Sequence, residues 1–128
     1  RDCIFQDTEK RRLLESIMHP LVYAQIDLQL SQLTGPYAIV SIPLLIETGM
    51  QSLVDHILVI DCPMEIQINR VKLRDNLSDA QITAMINSQV SRAERLAEAD
   101  SIIDNTQDMH YLSQQVNSLH TQFLKQAQ

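Results

Sequence analysis

The chain has 128 residues, 45% of them hydrophobic, and a formal net charge of −6. This length and hydrophobic content argue against a disordered chain and are sufficient for one domain with a buried core. The negative charge argues against general nucleic-acid binding, and no apolar run approaches the roughly 18 residues of a membrane span. The first residues are unlike a signal peptide, and Cys3 and Cys62 form no CxxC motif, so we expect a reduced, cytoplasmic protein.

The first quarter of the chain is predicted to be helical. The segment "DTEKRRLLESIM", residues 7–18, has apolar residues at helical spacing and a capping residue at its start. Because the residue before a proline avoids helical geometry, we predict that His19-Pro20 interrupts this helix and that Pro20 begins a second one, which Gly35-Pro36 ends. A simpler interpretation of His19 is that it caps the first helix.

Three short apolar segments are predicted to be strands. "YAIVSIPLLIE" at 37–47 and "HILVIDC" at 56–62 are nearly continuously apolar, as is typical of strands covered on both faces, and "SIIDN" at 101–105 is a third candidate. Strands separated by helices predict a parallel α/β sheet. In such sheets ligands bind beyond the carboxyl ends of the strands, which fall here at 43–47, 61–63 and 104–105.

The segment "VIDCPMEIQINRVKLRD", residues 59–75, passes from the second strand into a helix that we expect to start at Pro63. Spacings of three and four residues place Gln67, Arg70 and Arg74 on one face of this helix. Guanidinium groups are permanently charged planar donors that suit phosphate oxygens. The bland alternative is an ordinary solvated helix surface.

Basic residues are concentrated in one part of the chain. None lies between Arg12 and Arg70, whereas five lie between Arg70 and Arg95, which suits a small anionic ligand better than a polymer. Within this part "SDAQ" predicts a capping box of Ser78 and Gln81 at the start of another helix. The segment is too polar to belong to the core throughout, which is typical of a mobile lid.

Two further features follow in the chain. Arg92 and Arg95 lie one helical turn apart, and the simpler interpretation is that they pair with Glu94 and Glu98 on an exposed helix. The final helix is predicted to pack on the sheet through apolar residues at spacings of three and four: Met109, Leu112, Val116, Leu119 and Phe123.

The order and spacing of several segments resemble the C-terminal two-thirds of the dephospho-CoA kinase family, P-loop kinases related to the nucleoside monophosphate kinases. The resemblance runs through "RDCIF", "LLESIMHP", "IPLLIE", "VIDCPMEIQINRVKLRD", Gln89 and "AEADSIIDN". It implies an α/β fold, the three-layer parallel-sheet P-loop kinase fold, incomplete here and with helical acceptor-binding and lid regions. It also implies transfer of the γ-phosphoryl group of ATP to the 3′-hydroxyl of dephospho-CoA, the last step of coenzyme A synthesis, with Mg²⁺ arriving with the ATP.

The resemblance also implies roles for individual residues. Arg70 and Arg74 match the lid segment and are the candidate catalytic residues, and Gln67, Arg70 and Asn105 are the candidate nucleotide-binding residues. The candidate residues for binding dephospho-CoA are Arg1, Phe5, His19, Pro43, Leu44 and Glu47. Ser41 departs from the family, which often has Asp there to order the water shell of magnesium. The four histidines show no metal-ligand spacing, and no metal site is predicted.

The same resemblance divides one fold into four segments: a helical acceptor region at 1–36, core strands and the start of the lid helix at 37–66, the lid at 67–98, and the last strand and helix at 99–128. We expect the family's GxxxxGK(S/T) phosphate loop and its catalytic aspartate upstream of Arg1. We therefore expect the 128 residues alone to fold poorly and to be inactive.

Three hypotheses remain open from the sequence. The first is the dephospho-CoA kinase itself, and the second is another P-loop small-molecule kinase with a different acceptor. The third is a non-catalytic α/β module that binds CoA or a nucleotide. Apart from these hypotheses, a simpler interpretation is that Glu47 is a solvated charge at a strand end and Asn105 an ordinary turn or helix-start residue. No oligomeric state is predicted.

Overall fold

The structure is a computed structural model that describes residues 8–75 and 77–127. The described residues divide into two compact units, one that ends at Ser41 and includes Ala127, and one within Ile42–Gln126. The predicted four-part division of the fold stays a prediction. In the described part of the chain, no helix is both long and apolar enough to cross a membrane.

The first unit contains one long helix, α1, at Thr8–Ser31, which continues through Pro20. The predicted interruption at His19-Pro20 is therefore wrong, and His19 caps no helix end. A proline inside a helix removes one donor, so the carbonyl of Ser16 loses its usual partner. Ser16 and Pro20 are both exposed, so water can satisfy that carbonyl while the turns on either side keep their own hydrogen bonds.

The predicted strand at 37–47 is not formed. Residues 37–42 have no regular structure, and residues 43–49 form turns closed by bonds such as Met50 N–H to the Leu45 carbonyl at 2.9 Å. Gly49 has a φ of 68°, a left-handed conformation that glycine adopts without strain. A strand requires a hydrogen-bonding neighbour, and the strands among the described residues pair only with each other.

The second unit contains both strands, which confirms two of the three predicted ones. A short 3-10 helix precedes them, and the elements in chain order are the 3-10 helix Gln51–Leu53, β1 Leu58–Asp61, α2 Met64–Asp75, α3 Asp79–Asn87, α4 Arg92–Ala97, β2 Ser101–Asp104 and α5 Met109–Gln126. β1 and β2 are parallel, with Asp61 opposite Asp104.

Few side chains of the described residues are buried: Met50, Cys62, Ile82 and Ile103. Cys62 is a buried thiol without a disulfide. α3 begins with the predicted capping box, in which Ser78 and Gln81 bond each other's backbone N–H groups. A second capping box, at Ser91, begins α4, so both helices between α2 and β2 start with such a box.

The final helix packs on β2, as predicted. Its Leu112, Leu119 and Phe123 are partly buried, whereas Met109 and Val116 are exposed. Near its end, the ring of Phe123 meets the ring of His56 edge-on at 5.0 Å between centroids. His56 lies 2.9 Å from the Ser101 hydroxyl at the start of β2, so α5 is attached at the amino end of the sheet as well.

Candidate functional site

The parallel pairing of β1 and β2 brings their carboxyl ends together. Beyond the last paired residues, the Asn105 N–H donates to the Asp61 carbonyl at 2.8 Å. Asp61, Asp104 and Asn105 therefore lie at one edge of the sheet. This is the edge at which parallel α/β proteins bind ligands, and we call it the carboxyl edge.

Two of the predicted nucleotide-binding residues extend from α2 to this edge. Gln67 donates its amide to the Cys62 carbonyl at 2.9 Å, and Arg70 donates from its guanidinium to the Asn105 carbonyl at 2.9 Å. Gln67 is partly buried and Arg70 is exposed. The structure thus brings together Gln67, Arg70 and Asn105, which the resemblance assigns to nucleotide binding.

Arg74 is not part of this cluster. Its guanidinium donates two hydrogen bonds of 2.7 Å to the carboxylate of the adjacent Asp75, and it is exposed one turn beyond Arg70. These bonds hold the pKa of Asp75 below its ordinary value. Arg74 would have to leave Asp75 to neutralise a phosphate together with Arg70.

Asp61 makes a second charged contact at the carboxyl edge. Its carboxylate accepts two hydrogen bonds from Arg92, at 2.8 and 2.5 Å, and its side chain is only 14% exposed. The hydrogen bonds from Arg92 hold the pKa of Asp61 below its ordinary value, while burial opposes this shift. The expected pairing of Arg92 with Glu94 or Glu98 is therefore wrong.

The linker between α3 and α4 is held by charged side chains. Glu47 accepts a hydrogen bond from the Val90 N–H at 3.1 Å, and Arg95 donates to the Val90 carbonyl at 2.6 Å. Both backbone groups of Val90 are thus occupied, two residues before the Arg92 that binds Asp61. Glu47 is exposed, as in the simpler interpretation, and it also binds this linker.

On its other side, Asp104 is bound by a side chain from α5. Gln115 accepts from the Asp104 N–H and donates to the Asp104 carbonyl, both at 2.9 Å. The Asp104 carboxylate accepts from the Thr106 N–H at 2.9 Å, which shapes the turn that contains Asn105. Nothing in the sequence indicates Gln115 as a partner of Asp104, because helical spacing carries no sign of a contact eleven residues earlier.

The predicted acceptor-binding residues are spread over several parts of the chain. Arg1 and Phe5 lie outside the described residues, and His19 lies on α1 with its ring 6.1 Å from that of Tyr23. Pro43 and Leu44 are exposed in the turns at 43–49 rather than at the end of a strand. Ser41 is also exposed.

The carboxyl edge offers donors for an anion but no metal centre. No group of three or more His, Cys, Asp or Glu in the described part of the chain could hold a metal ion, and the Asp61 carboxylate is occupied by Arg92. Arg70 uses one of the five N–H donors of its guanidinium on Asn105 and is exposed on its other side. The arrangement can therefore bind and neutralise an anionic group beside Asn105.

A parallel α/β unit with arginine and amide donors at its carboxyl edge has these polar groups where such folds bind ligands. The family model described as "Dephospho-CoA kinase" matches residues 1–110 of the chain. The chain belongs to the dephospho-CoA kinase family.

Individual relatives agree with this result. The chain is 44% identical to a dephospho-CoA kinase of Aromatoleum aromaticum, over 99% of the chain and 62% of that protein. It is 43% identical to one of Coxiella burnetii, over 100% of the chain and 65% of that protein. The chain therefore spans less than two-thirds of the length of the curated relatives it matches.

Solved structures show the same partial coverage. A crystal structure of TT1252 from Thermus thermophilus matches with a TM-score of 0.85 at 27% identity, over 94% of this chain and 63% of that one. A dephospho-CoA kinase from Campylobacter jejuni matches with a TM-score of 0.68 at 30% identity, over 99% of this chain and 64% of that one. These likenesses place the α/β unit in the kinase fold that the resemblance implied.

Proposed function

We propose that the complete natural chain containing these residues is a dephospho-CoA kinase, which transfers the γ-phosphoryl group of ATP to the 3′-hydroxyl of dephospho-CoA. The observation that carries this proposal is the contact of Arg70 with the Asn105 carbonyl at the carboxyl edge, in a chain of that family. The resemblance assigns Arg70 to the phosphates and Asn105 to the base of the same nucleotide.

Arg70 supplies charge to the transferred phosphoryl group. Phosphoryl transfer depends mainly on positioning and on stabilising the charge that spreads over the phosphate oxygens. Asn105 holds one edge of the exposed guanidinium, which leaves its remaining N–H groups to donate to those oxygens. Arg74 would add a second positive charge after release from Asp75.

The start of α2 positions these groups. Gln67 bonds the Cys62 carbonyl and so fixes the first turns of the helix against the end of β1. The side-chain carbonyl of Gln67 is left to accept a hydrogen bond. In this proposal the side-chain amide of Asn105 lies near the adenine. ATP brings its Mg²⁺ in this proposal, and we assign no described residue to that ion.

The acceptor side of the proposal rests on resemblance. Arg1, Phe5, His19, Pro43, Leu44 and Glu47 are proposed to bind dephospho-CoA. For Glu47 this role competes with its hydrogen bond to Val90, so acceptor binding and the linker before α4 would share one carboxylate. A further expectation is that the phosphate loop lies upstream of Arg1. The coding sequence before the Arg1 codon tests it.

The proposal is tested by turnover in the complete natural chain. We expect phosphorylation of dephospho-CoA by ATP, and we expect Arg70→Met to lower kcat by about 10²-fold or more, because it removes a charge that acts on the transferred group. Lys125→Met is the matched control, since it removes a positive charge from the last turn of α5, beyond the Phe123 that contacts His56.

The acceptor decides between the three hypotheses. Phosphorylation of a nucleoside monophosphate in place of dephospho-CoA would identify another P-loop kinase. Nucleotide binding without transfer to any acceptor would identify a binding module. An Arg70→Met variant as active as Lys125→Met would remove Arg70 from the mechanism.

A further inference from the structure

Gln115 on α5 makes a paired contact with the main chain at the end of β2. Its amide accepts from the Asp104 N–H and donates to the Asp104 carbonyl, each at 2.9 Å, and the side chain is partly buried. None of the residues that the resemblance assigns to the site lies on α5. The contact is therefore not explained by the roles already described.

The geometry resembles the pairing that a neighbouring strand would make. Successive residues of a strand direct their N–H and carbonyl groups to opposite sides. Asn105 directs its N–H toward β1, where the Asp61 carbonyl accepts it, so Asp104 directs its backbone groups away from β1. Gln115 supplies one donor and one acceptor there, which satisfies both groups of the last strand residue.

Two further hydrogen bonds connect this contact with the proposed nucleotide site. Gln115 fixes the main chain of Asp104, and the Asp104 carboxylate binds the Thr106 N–H at 2.9 Å. Asn105 lies between these two fixed residues, and its carbonyl holds the guanidinium of Arg70 at 2.9 Å. The position of the Asn105 carbonyl therefore sets the position of Arg70.

We propose that Gln115 is a positioning residue for nucleotide binding, which orients Asn105 and, through its carbonyl, the Arg70 guanidinium. The inference rests on the proposed function of that site as an ATP site. Gln115 touches neither the nucleotide nor the acceptor in this proposal.

A purely structural role for Gln115 makes a different prediction. α5 also attaches to the sheet through Phe123, whose ring meets His56 beside the start of β2. Loss of the Gln115 contact alone therefore leaves the helix attached. If Gln115 only stabilised the fold, its loss would lower the melting temperature and the active fraction, and hence the apparent kcat. It would change neither the KM for ATP nor the KM for dephospho-CoA.

The test uses Gln115→Leu in the complete natural chain, because leucine keeps the approximate volume and removes both hydrogen bonds. We expect KM for ATP, and Kd for a non-hydrolysable ATP analogue by titration, to rise about tenfold, with KM for dephospho-CoA changed less than about twofold. Gln114→Leu is the matched control, because Gln114 is exposed and bonds only His110 one turn earlier, at 3.0 Å.

Two more variants make the test specific. Gln115→Glu keeps an acceptor for the Asp104 N–H but places a carboxylate oxygen against the Asp104 carbonyl, so its ATP affinity should fall at least as far as that of Gln115→Leu. In an Arg70→Met background, Gln115→Leu should raise the ATP-analogue Kd less than about threefold, because most of its effect passes through Arg70.

The outcomes separate the inference from the proposed function. If the natural chain phosphorylates dephospho-CoA and Gln115→Leu matches Gln114→Leu in ATP affinity, the inference on Gln115 is wrong and the function stands. If the chain binds the ATP analogue but phosphorylates nothing, the function fails and the analogue titration still decides on Gln115. If the chain binds no nucleotide, both are overturned. A Gln115→Leu variant that does not fold leaves the decision to Gln115→Glu.

Discussion

At the scale of single residues, the pair of Asp61 and Arg92 shows how one strand end can fix a distant helix. The carboxylate lies at the end of β1 and the guanidinium in the first turn of α4, joined by hydrogen bonds of 2.8 and 2.5 Å. Because Asp61 is 14% exposed and Arg92 50% exposed, the pair is less well solvated than an ordinary surface ion pair.

We expect the stabilisation from this pair to depend on pH. The hydrogen bonds from Arg92 lower the folded-state pKa of Asp61, so the ionised pair stabilises the fold fully above the unfolded-state pKa of about 3.9 and loses this effect as the pH falls through the lower folded-state pKa. In urea titrations of the complete natural chain, Asp61→Asn should therefore be less stable than wild type at pH 7, and this difference should disappear in acid.

A double-mutant cycle tests whether Arg92 is the cause. In an Arg92→Met background, Asp61→Asn should have little further effect on stability at pH 7, and hydrogen exchange in α4 should already be on the order of two- to fivefold faster. An undiminished effect of Asp61→Asn in that background would show that Asp61 is stabilised by other groups.

At the scale of elements, α4 illustrates a helix that cannot persist by itself. It has six residues, Arg92–Ala97, and isolated helices shorter than about 12 residues are marginal in water. Ser91 accepts from the Glu94 N–H at 3.2 Å and Glu94 accepts from the Ser91 N–H at 2.8 Å, which forms a capping box. Hydrogen bonds to the Glu94 carboxylate from the Ser91 side chain, and then from the Ser91 N–H, lower the pKa of Glu94.

We expect Ser91→Ala to destabilise the protein by about 1 kcal/mol, because it leaves an N-terminal N–H group of α4 without its partner. The free energy of unfolding in urea measures the loss, and hydrogen exchange should locate it in α4. Ser91→Thr is the control that keeps the hydroxyl. Equal stabilities of the alanine and threonine variants would contradict a role for the cap.

The difference between local and long-range contacts explains which elements could be predicted. The box of Ser78 and Gln81 was predicted because its partners are three residues apart. The same signature at Ser91 and Glu94 was present and not identified. The hydrogen bond of Glu47 with Val90 joins residues 43 positions apart, and nothing in the local pattern indicates it.

The candidate site was predictable to the same extent. Helical spacing placed Gln67 and Arg70 on one face, and the parallel sheet placed that face near Asn105, which the hydrogen bonds confirm as a cluster. Arg74 shares the spacing but binds the adjacent Asp75, a choice between partners that spacing does not determine. The strand predicted at 37–47 has the right composition, but composition cannot supply the neighbour that a strand needs.

At the scale of the whole molecule, the described residues bury little apolar surface. Ile103 is 2% exposed, whereas Ile60 and Ile102 are 57% and 49% exposed. Ile60 pairs with Ile103 and Val59 with Ile102, so the two exposed isoleucines lie on opposite faces of the sheet. Parallel sheets in α/β proteins are normally covered on both faces, so each face of this one retains surface that further packing would bury.

We therefore expect the 128-residue chain alone to bind a hydrophobic dye and to unfold over a broad range of urea concentration. A chain of this size with a complete core would unfold in one transition with a slope of about 1–3 kcal/mol per molar urea. The small buried set here exposes less new surface on unfolding, which lowers the slope. Circular dichroism in urea and dye fluorescence measure the two effects.

Substituting Ile60 and Ile102 with threonine should reduce dye binding, because both side chains are exposed on the sheet. A steep single transition without dye binding would show that these residues form a complete fold, and it would favour the binding-module hypothesis over a kinase that needs more chain.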